Sequence, residues 1–262
     1  MQGHVVSLQG RLGNQLFQYA FARWLERETQ QPVRFDLSLV GVNAVAEVLR
    51  KEVVERRVRG SQYLPAPFGR YGTLGRGARR FVGPRRLVLD ASAQGGRPAS
   101  LVLRDAWWTG YWQRHDYATA ALDEIREALG CDPADGQEAI GIHVRRGDYA
   151  DLGASQGARW YRRAVQRALA HSPGLPVFVV SDDPDWCRTH LDVGTRWSSL
   201  STSSAENDLR TLASSSVLIA SSSSFSYWAA LLGDCFTISP PGPLPAPLWA
   251  AIGAVELTAD GG

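Results

Sequence analysis

The run Ala139-Ile140-Gly141-Ile142-His143-Val144 is apolar with almost no polar alternation, and it breaks abruptly into Arg145-Arg146-Gly147-Asp148-Tyr149. A strand apolar on both faces must be covered on both faces, as a central strand of a parallel sheet is. Gly147 permits a tight turn straight after it. The chain beyond carries the same logic. Trp160, Tyr161, Ala164, Val165, Ala168 and Leu169 mark one face of a helix, and Val177 to Ser181 forms a second buried strand. Asp182-Asp183-Pro184 opens a further helix, Glu206-Asn207-Asp208-Leu209 begins one reaching about Ser214, and Val217 to Ala220 is a strand that feeds Ser221-Ser222-Ser223-Ser224-Phe225 and another helix. Strand, loop and helix alternate three times, which predicts a parallel α/β sheet.

In open α/β sheets ligands bind at the carboxyl ends of the strands, where Arg145 and Arg146 are expected. Two adjacent guanidiniums are permanently charged, forked donors suited to the two phosphates of a nucleotide diphosphate. The plainer alternative is that both form surface ion pairs and that His143 is a satisfied core histidine. The serines at 221–224 lie between an apolar strand and an apolar helix, so they read as hydroxyls and N–H groups at a helix amino terminus, an anion site, rather than as a linker.

At 262 residues the chain holds one large α/β domain or two modest ones. The net charge of +2 and the lack of a basic run interleaved with aromatics argue against nucleic acid. Cys131, Cys187 and Cys235 are far apart and lack CxxC spacing, so neither a disulfide framework nor a zinc site is expected. No window approaches the roughly 20 apolar residues that span a bilayer, and no secretory leader pattern opens the sequence. A cytoplasmic protein is expected, with peripheral contact to a membrane face left open.

The first half opens with a strand, Val5 to Leu8, then Gln9-Gly10-Arg11-Leu12-Gly13-Asn14-Gln15-Leu16-Phe17-Gln18 and a helix to about Glu28. Gly10 and Gly13 allow close backbone approach, and Asn14 reads as a helix cap whose neighbouring N–H groups would favour an anion. The loop is neither a Walker A motif nor GxGxxG. A second strand, Pro32 to Ser38, contains Asp36, which either faces a cleft or caps the next turn of chain. A helix is expected over about Ala44 to Arg59, then loops rich in glycine, proline and arginine from Pro65 to Gly77 and Gln94 to Pro98. A short apolar run, Leu101 to Leu103, precedes Trp107-Trp108-Thr109-Gly110-Tyr111-Trp112-Gln113, whose four large aromatics fill a core or interface, or stack on a sugar face. A helix from Tyr117 to Leu129 leads to the acidic turn Asp132-Pro133-Ala134-Asp135-Gly136, the expected boundary between residues 1–132 and 133–262.

With these pieces assembled, the chain resembles the inverting α-1,2-fucosyltransferases of glycosyltransferase family 11. Four features carry the likeness: Gly10 to Tyr19; Gly110-Tyr111-Trp112-Gln113; His143 to Asp148; and Asp208 with Ser223-Ser224-Phe225-Ser226 and Trp228. Asp36-Leu37-Ser38 and Phe178 to Asp183 are further landmarks. The resemblance implies a GT-B-like fold of two Rossmann-like lobes with a donor cleft between them, the first on the acceptor side and the second binding GDP-fucose. It implies transfer of L-fucose to a glycan hydroxyl, on a terminal galactose. By the same carry-over, Arg145 neutralises the diphosphate as the fucosyl bond breaks, Arg146 and Asp148 position nucleotide and loop, and His143 lies beside them. Ser223, Ser224 and Phe225 bind phosphate, Asp208 meets the guanine edge, and Gly10 and Asn14 close the site from the other lobe. Asp182-Asp183 reads as a helix cap rather than a metal pair, so no metal or other cofactor is expected. Asp36, Asp148, His115 and Asp116 are all open as general base. Another GDP-sugar transferase, a different fucosyl linkage, or a non-catalytic nucleotide-sugar-binding protein are the rival readings.

Overall fold

A computed structural model describes residues 3–58, 86–89, 105–147, 150, 155–202 and 204–258. Asp148, the loops expected over 65–77 and 94–98, and the apolar run 101–103 lie outside the described residues. The chain divides into two compact units, Met1–Leu122 and Asp123–Gly262.

In the first unit, strands β1 (His4–Ser7), β2 (Val33–Asp36), β3 (Arg86–Leu89) and β4 (Ala106–Thr109) form a parallel sheet in the order β2-β1-β4-β3. Helix α1 (Leu12–Thr29) comes after β1 and is buried along most of its length through Leu16, Phe17, Ala20 and Phe21. Its burial explains the aromatics near β4. Phe21 stacks on Trp112 with ring centroids 4.1 Å apart and meets Trp108 edge to face, and both tryptophans are buried. Of the four aromatics, Trp107, Trp108 and Trp112 are therefore core, and only Tyr111 is exposed.

Helix α2 is shorter than the sequence suggests, Glu47–Glu55. The single helix expected from Tyr117 to Leu129 is instead α3 (His115–Ala118), a 3-10 turn (Thr119–Ala121) and α4 (Leu122–Leu129). Thr119 Oγ1 bonds back to the Asp116 carbonyl, a local competitor for regular helix.

Almost all of α4 falls in the second unit. Arg126 donates to the carbonyls of Leu231 and Leu232, and Arg210 donates to that of Leu129. These bonds tie α4 to the carboxyl-terminal half of the chain, so the division comes before the acidic turn 132–136.

The second unit is a six-stranded parallel sheet, order β10-β9-β8-β5-β6-β7. Its strands are β5 (Gln137–Val144), β6 (Val177–Ser181), β7 (Trp197–Ser199), β8 (Ser215–Ile219), β9 (Phe236–Ser239) and β10 (Val255–Glu256). Helices α5 (Ala158–His171), α6 (Pro184–His190), α7 (Ala205–Ala213), α8 (Ser224–Gly233) and α9 (Ala246–Ala251) connect them. β5 lies between β8 and β6, and every residue from Ala139 to Val144 is buried, as an apolar run without alternation requires. Ile140, Ile142 and Val144 share one core with Trp160, Tyr161, Ala164, Val165 and Ala168 of α5 and with Cys187 of α6.

The pleat sends Gly141 and His143 to the opposite face. Gly141 has to be glycine because an added Cβ would lie 2.9 Å from both the Phe178 ring and Ser215 Oγ. His143 meets α8 on that face.

Candidate active site

β5 and the loop after it bring three of the expected site residues into close succession. His143 is the penultimate residue of β5, and the arginine loop begins one residue past its end. Ser226 Oγ lies 2.6 Å from His143 Nδ1, and Ser221 Oγ lies 3.1 Å from the same atom. Ser226 Oγ also accepts the Ser221 N–H at 3.0 Å, which fixes that hydroxyl beside the ring of His143. Burial first, and then the charge of Arg145, push its pKa from the usual 6.5 down to about 3. The imidazole is neutral at any working pH. Tyr161 donates to the His143 carbonyl at 3.4 Å, and burial raises its phenol above the ordinary range.

The serine cluster is built by the start of α8. Ser223 is the N-cap, and its Oγ accepts the Ser226 N–H at 3.2 Å. Ser221 Oγ joins Ser223 Oγ at 2.9 Å and Ser226 Oγ at 3.0 Å. With the third N–H used by the cap, Ser224 and Phe225 carry the other N–H groups of the first turn, on partly exposed residues. The Phe225 ring sits 5.0 Å from that of His143. His143, Ser223 and Phe225 are thus one cluster, and Ser222 belongs elsewhere, accepting the Leu244 N–H at 3.2 Å.

Beyond β5 the chain turns at Gly147, φ +21°. Arg145 Nη1 is 2.5 Å from Asp182 Oδ2, and the Arg146 N–H donates to Asp182 Oδ1 at 2.8 Å. The Arg146 guanidinium lies 4.3 Å above the Trp186 ring, with its Nε buried and making no hydrogen bond. Ser155 donates to the Arg145 carbonyl at 3.0 Å.

The expectation that Asp182-Asp183 caps a helix holds for one residue only. Asp183 Oδ1 accepts the Trp186 N–H at 3.0 Å, while Asp182 turns to the arginines. Asp208 lies in the first turns of α7 with Oδ1 accepting the Thr202 N–H at 2.7 Å.

In the first unit, α1 starts at Leu12, so Asn14 lies inside its first turn and is not a cap. Arg11 holds the N-cap position without a side-chain bond. Asn14 instead accepts from Gln113 Nε2 at 3.1 Å, and an added Cβ on Gly10, φ +75°, would come within 2.6 Å of its Nδ2. Gln113 is aimed there by an unusual turn: Gly110 has φ +148°, and the bulky Trp112 has φ +54°. Gln18 Nε2 donates to the Gly110 carbonyl at 2.9 Å. The two landmark segments Gly10 to Tyr19 and Gly110 to Gln113 are therefore in direct contact within this unit.

Asp36 resolves as a cap. Its Oδ1 accepts the Ser38 N–H at 3.0 Å, and its Oδ2 accepts from Ser7 and Ser38 hydroxyls.

The family model described as Glycosyl transferase family 11 matches residues 102–241, a span that contains His143, the paired arginines and the serine-built start of α8. The chain belongs to that family. It is a glycosyltransferase, and its described residues form two α/β units, each with a parallel sheet. An α-1,2-colitosyltransferase of Escherichia coli is 22% identical over 263 aligned residues, 87% of each chain. Among solved structures, the fucosyltransferase NodZ from Bradyrhizobium is 14% identical with a TM-score of 0.49, over 88% of this chain and 92% of that one. The E. coli heptosyltransferase WaaC with ADP is 15% identical with a TM-score of 0.45, over 97% and 92%.

Two parts of this family 11 glycosyltransferase's site escape sequence reasoning, Asp182 with Trp186 and the Ser221–Ser226 hydroxyl pair on His143. The second had a signal, since a buried histidine on a strand facing a serine-rich turn needs a donor. None of the described helices is long and apolar enough to cross a membrane.

Proposed function

We propose that this family 11 glycosyltransferase transfers L-fucose from GDP-β-L-fucose to a hydroxyl of a terminal galactose in a glycan, with inversion, in α-1,2 linkage and without a metal ion. It would work in the cytoplasm, in solution or against a membrane face. The observation that carries this reading is the pair Arg145-Arg146 fixed at the carboxyl end of β5, the strand whose His143 is bonded to the polar amino terminus of α8.

Breaking the donor's sugar–oxygen bond builds negative charge on the departing diphosphate while the sugar becomes oxocarbenium-like. Cations and N–H dipoles already oriented at that diphosphate stabilise the transition state more than the ground state. Arg145 and Arg146 supply the charge, and Ser223, Ser224 and Phe225 supply hydroxyl and N–H donors. His143 adds a neutral floor that does not compete for the charge. The engagement of Asp182 with Arg145 and of Asp183 Oδ1 with the α6 cap supports the metal-free reading. The linkage is supported by the α-1,2 specificity in the name of the E. coli relative. That name also favours a second reading, in which the donor is GDP-linked colitose and the same phosphate machinery is used.

The test is GDP release by the purified protein from GDP-fucose, GDP-linked colitose and GDP-mannose, with and without β-galactosides, in EDTA. Acceptor-dependent release from GDP-fucose is expected. Release confined to another donor, or activity lost in EDTA and restored by Mn²⁺, would overturn the donor or the metal-free assignment respectively.

A further inference from the structure

We propose that Asp182 is the positioning residue of the arginine pair. One carboxylate serves both arginines. Oδ2 holds the Arg145 guanidinium at 2.5 Å, and Oδ1 holds the Arg146 main chain at 2.8 Å. The same carboxylate lies close over the next residue, since a Cβ on Gly147 would lie 2.8 Å from Asp182 Oδ2. Register makes the arrangement unavoidable. β5 and β6 pair with Val144 opposite Ser181, so the next residues along each strand, Arg145 and Asp182, leave the sheet side by side. Ser181 anchors the other end, accepting the Asp183 N–H at 2.9 Å and donating its own N–H to Ser201 Oγ at 2.7 Å.

A guanidinium is a planar, forked donor, so engaging one Nη restricts how that plane can turn towards phosphate oxygens. Asp182 also offsets part of the charge of Arg145, which weakens attraction to a bound diphosphate. Its two effects thus have opposite signs. It costs ground-state affinity and gains orientation at the transition state, which sets it apart from a residue that merely stabilises the fold.

This inference rests on the donor reading above, and the experiment separates the two. GDP binding is titrated calorimetrically, and turnover of GDP-fucose measured, for wild type, Asp182→Asn, Asp182→Glu, Arg145→Ala, Arg145→Lys and the Asp182→Asn/Arg145→Lys double variant. For Asp182→Asn, kcat is expected to fall about 10- to 100-fold, the scale of a misplaced catalytic group, while GDP binds as tightly as to wild type or more tightly. In the Arg145→Lys background the same change should cost less than about threefold, since the guanidinium it orients is gone.

A kcat within about twofold of wild type, a GDP affinity that falls in step with kcat, or fully additive losses would each overturn the proposal. Asp182→Glu covers a poorly folded Asn variant. It keeps the charge but displaces the carboxylate by one methylene, so wild-type kcat there refutes the need for placement. If Arg145→Ala abolishes turnover while Asp182→Asn is silent, only the positioning role falls. If wild type binds no GDP, the donor reading falls and takes this one with it.

Discussion

Acidification should destabilise this protein through His143, in a window set by one buried ring. The imidazole has a pKa near 6.5 when unfolded and about 3 in place, because burial and the adjacent Arg145 disfavour its charged form. Between those values the unfolded chain binds a proton that the folded chain refuses. Stability attributable to this group is therefore complete above about pH 6.5 and is lost as pH falls towards 3. At roughly 1.4 kcal/mol per pH unit below the unfolded pKa, the loss is about 2 kcal/mol at pH 5 and about 3 kcal/mol at pH 4. A loss of about 2 kcal/mol should lower the midpoint by roughly 4 to 8 °C in a chain of this size. Thermal melts from pH 8 to pH 4 would measure it for wild type and His143→Asn, whose side-chain amide can pair with the Ser226 hydroxyl in place of Nδ1. The variant will be less stable at pH 8 from lost packing against Phe225, but its melting temperature should fall less steeply between pH 7 and pH 5. Parallel curves over that interval would refute a neutral, buried His143, because carboxylates common to both proteins would then account for the acid sensitivity.

Three further outcomes are expected from the same geometry. Arg145→Ala should lower kcat/KM at least about 100-fold, the scale of losing one strong donor to developing charge, and initial rates of GDP release would measure it. Gly233→Ala should destabilise the second unit by about 3 kcal/mol or prevent its folding, since the new Cβ would lie 2.0 Å from the Ala213 carbonyl where α8 meets α7; urea denaturation reads this directly. Arg56→Ala should cost about 2 kcal/mol by the same measurement, as it removes donors to the Val33 carbonyl, Glu26 and Glu52 together.

The second unit was the more legible half. Strands β5, β6 and β8 carry apolar runs whose burial on both faces erases the alternation that would otherwise suggest an antiparallel sheet, whereas β7 and β10 are short, end in exposed polar residues and give no such signal. The arginine loop and the Ser223 cap were readable because each is local. A strand end and a helix start are marked by residues within a few positions of them. Contacts that depend on register could not be read. Arg145 and Asp182 are far apart in sequence, and only the pairing of Val144 with Ser181 brings them together. Asn14 was misplaced for a related reason. Helix α1 begins at Leu12 without a capping side chain, so the nearest good capping residue drew the assignment too far along the chain. The aromatic run after β4 was ambiguous because pattern cannot separate a stacking platform from core; burial against Phe21 decides it for Trp108 and Trp112, Trp107 is buried with them, and Tyr111 is left outside.

The charge arrangement also narrows where proton transfer can occur. Burial and Arg145 keep His143 neutral, so the positive charge near the end of β5 resides on guanidiniums that do not titrate. On the proposed reading, the charge offered to a leaving diphosphate does not depend on His143. Among the candidate bases, Asp36 accepts three hydrogen bonds from Ser7 and Ser38. Asp116 is gripped by Arg114 through both oxygens, and despite the upward push of burial those bonds hold its carboxyl below the usual range. Asp116 would have to give up stabilising partners to accept a proton, which weakens it as a base. On the proposed reading, the machinery at the strand ends pulls the leaving group away, and a strongly dissociative transition state asks least of a base.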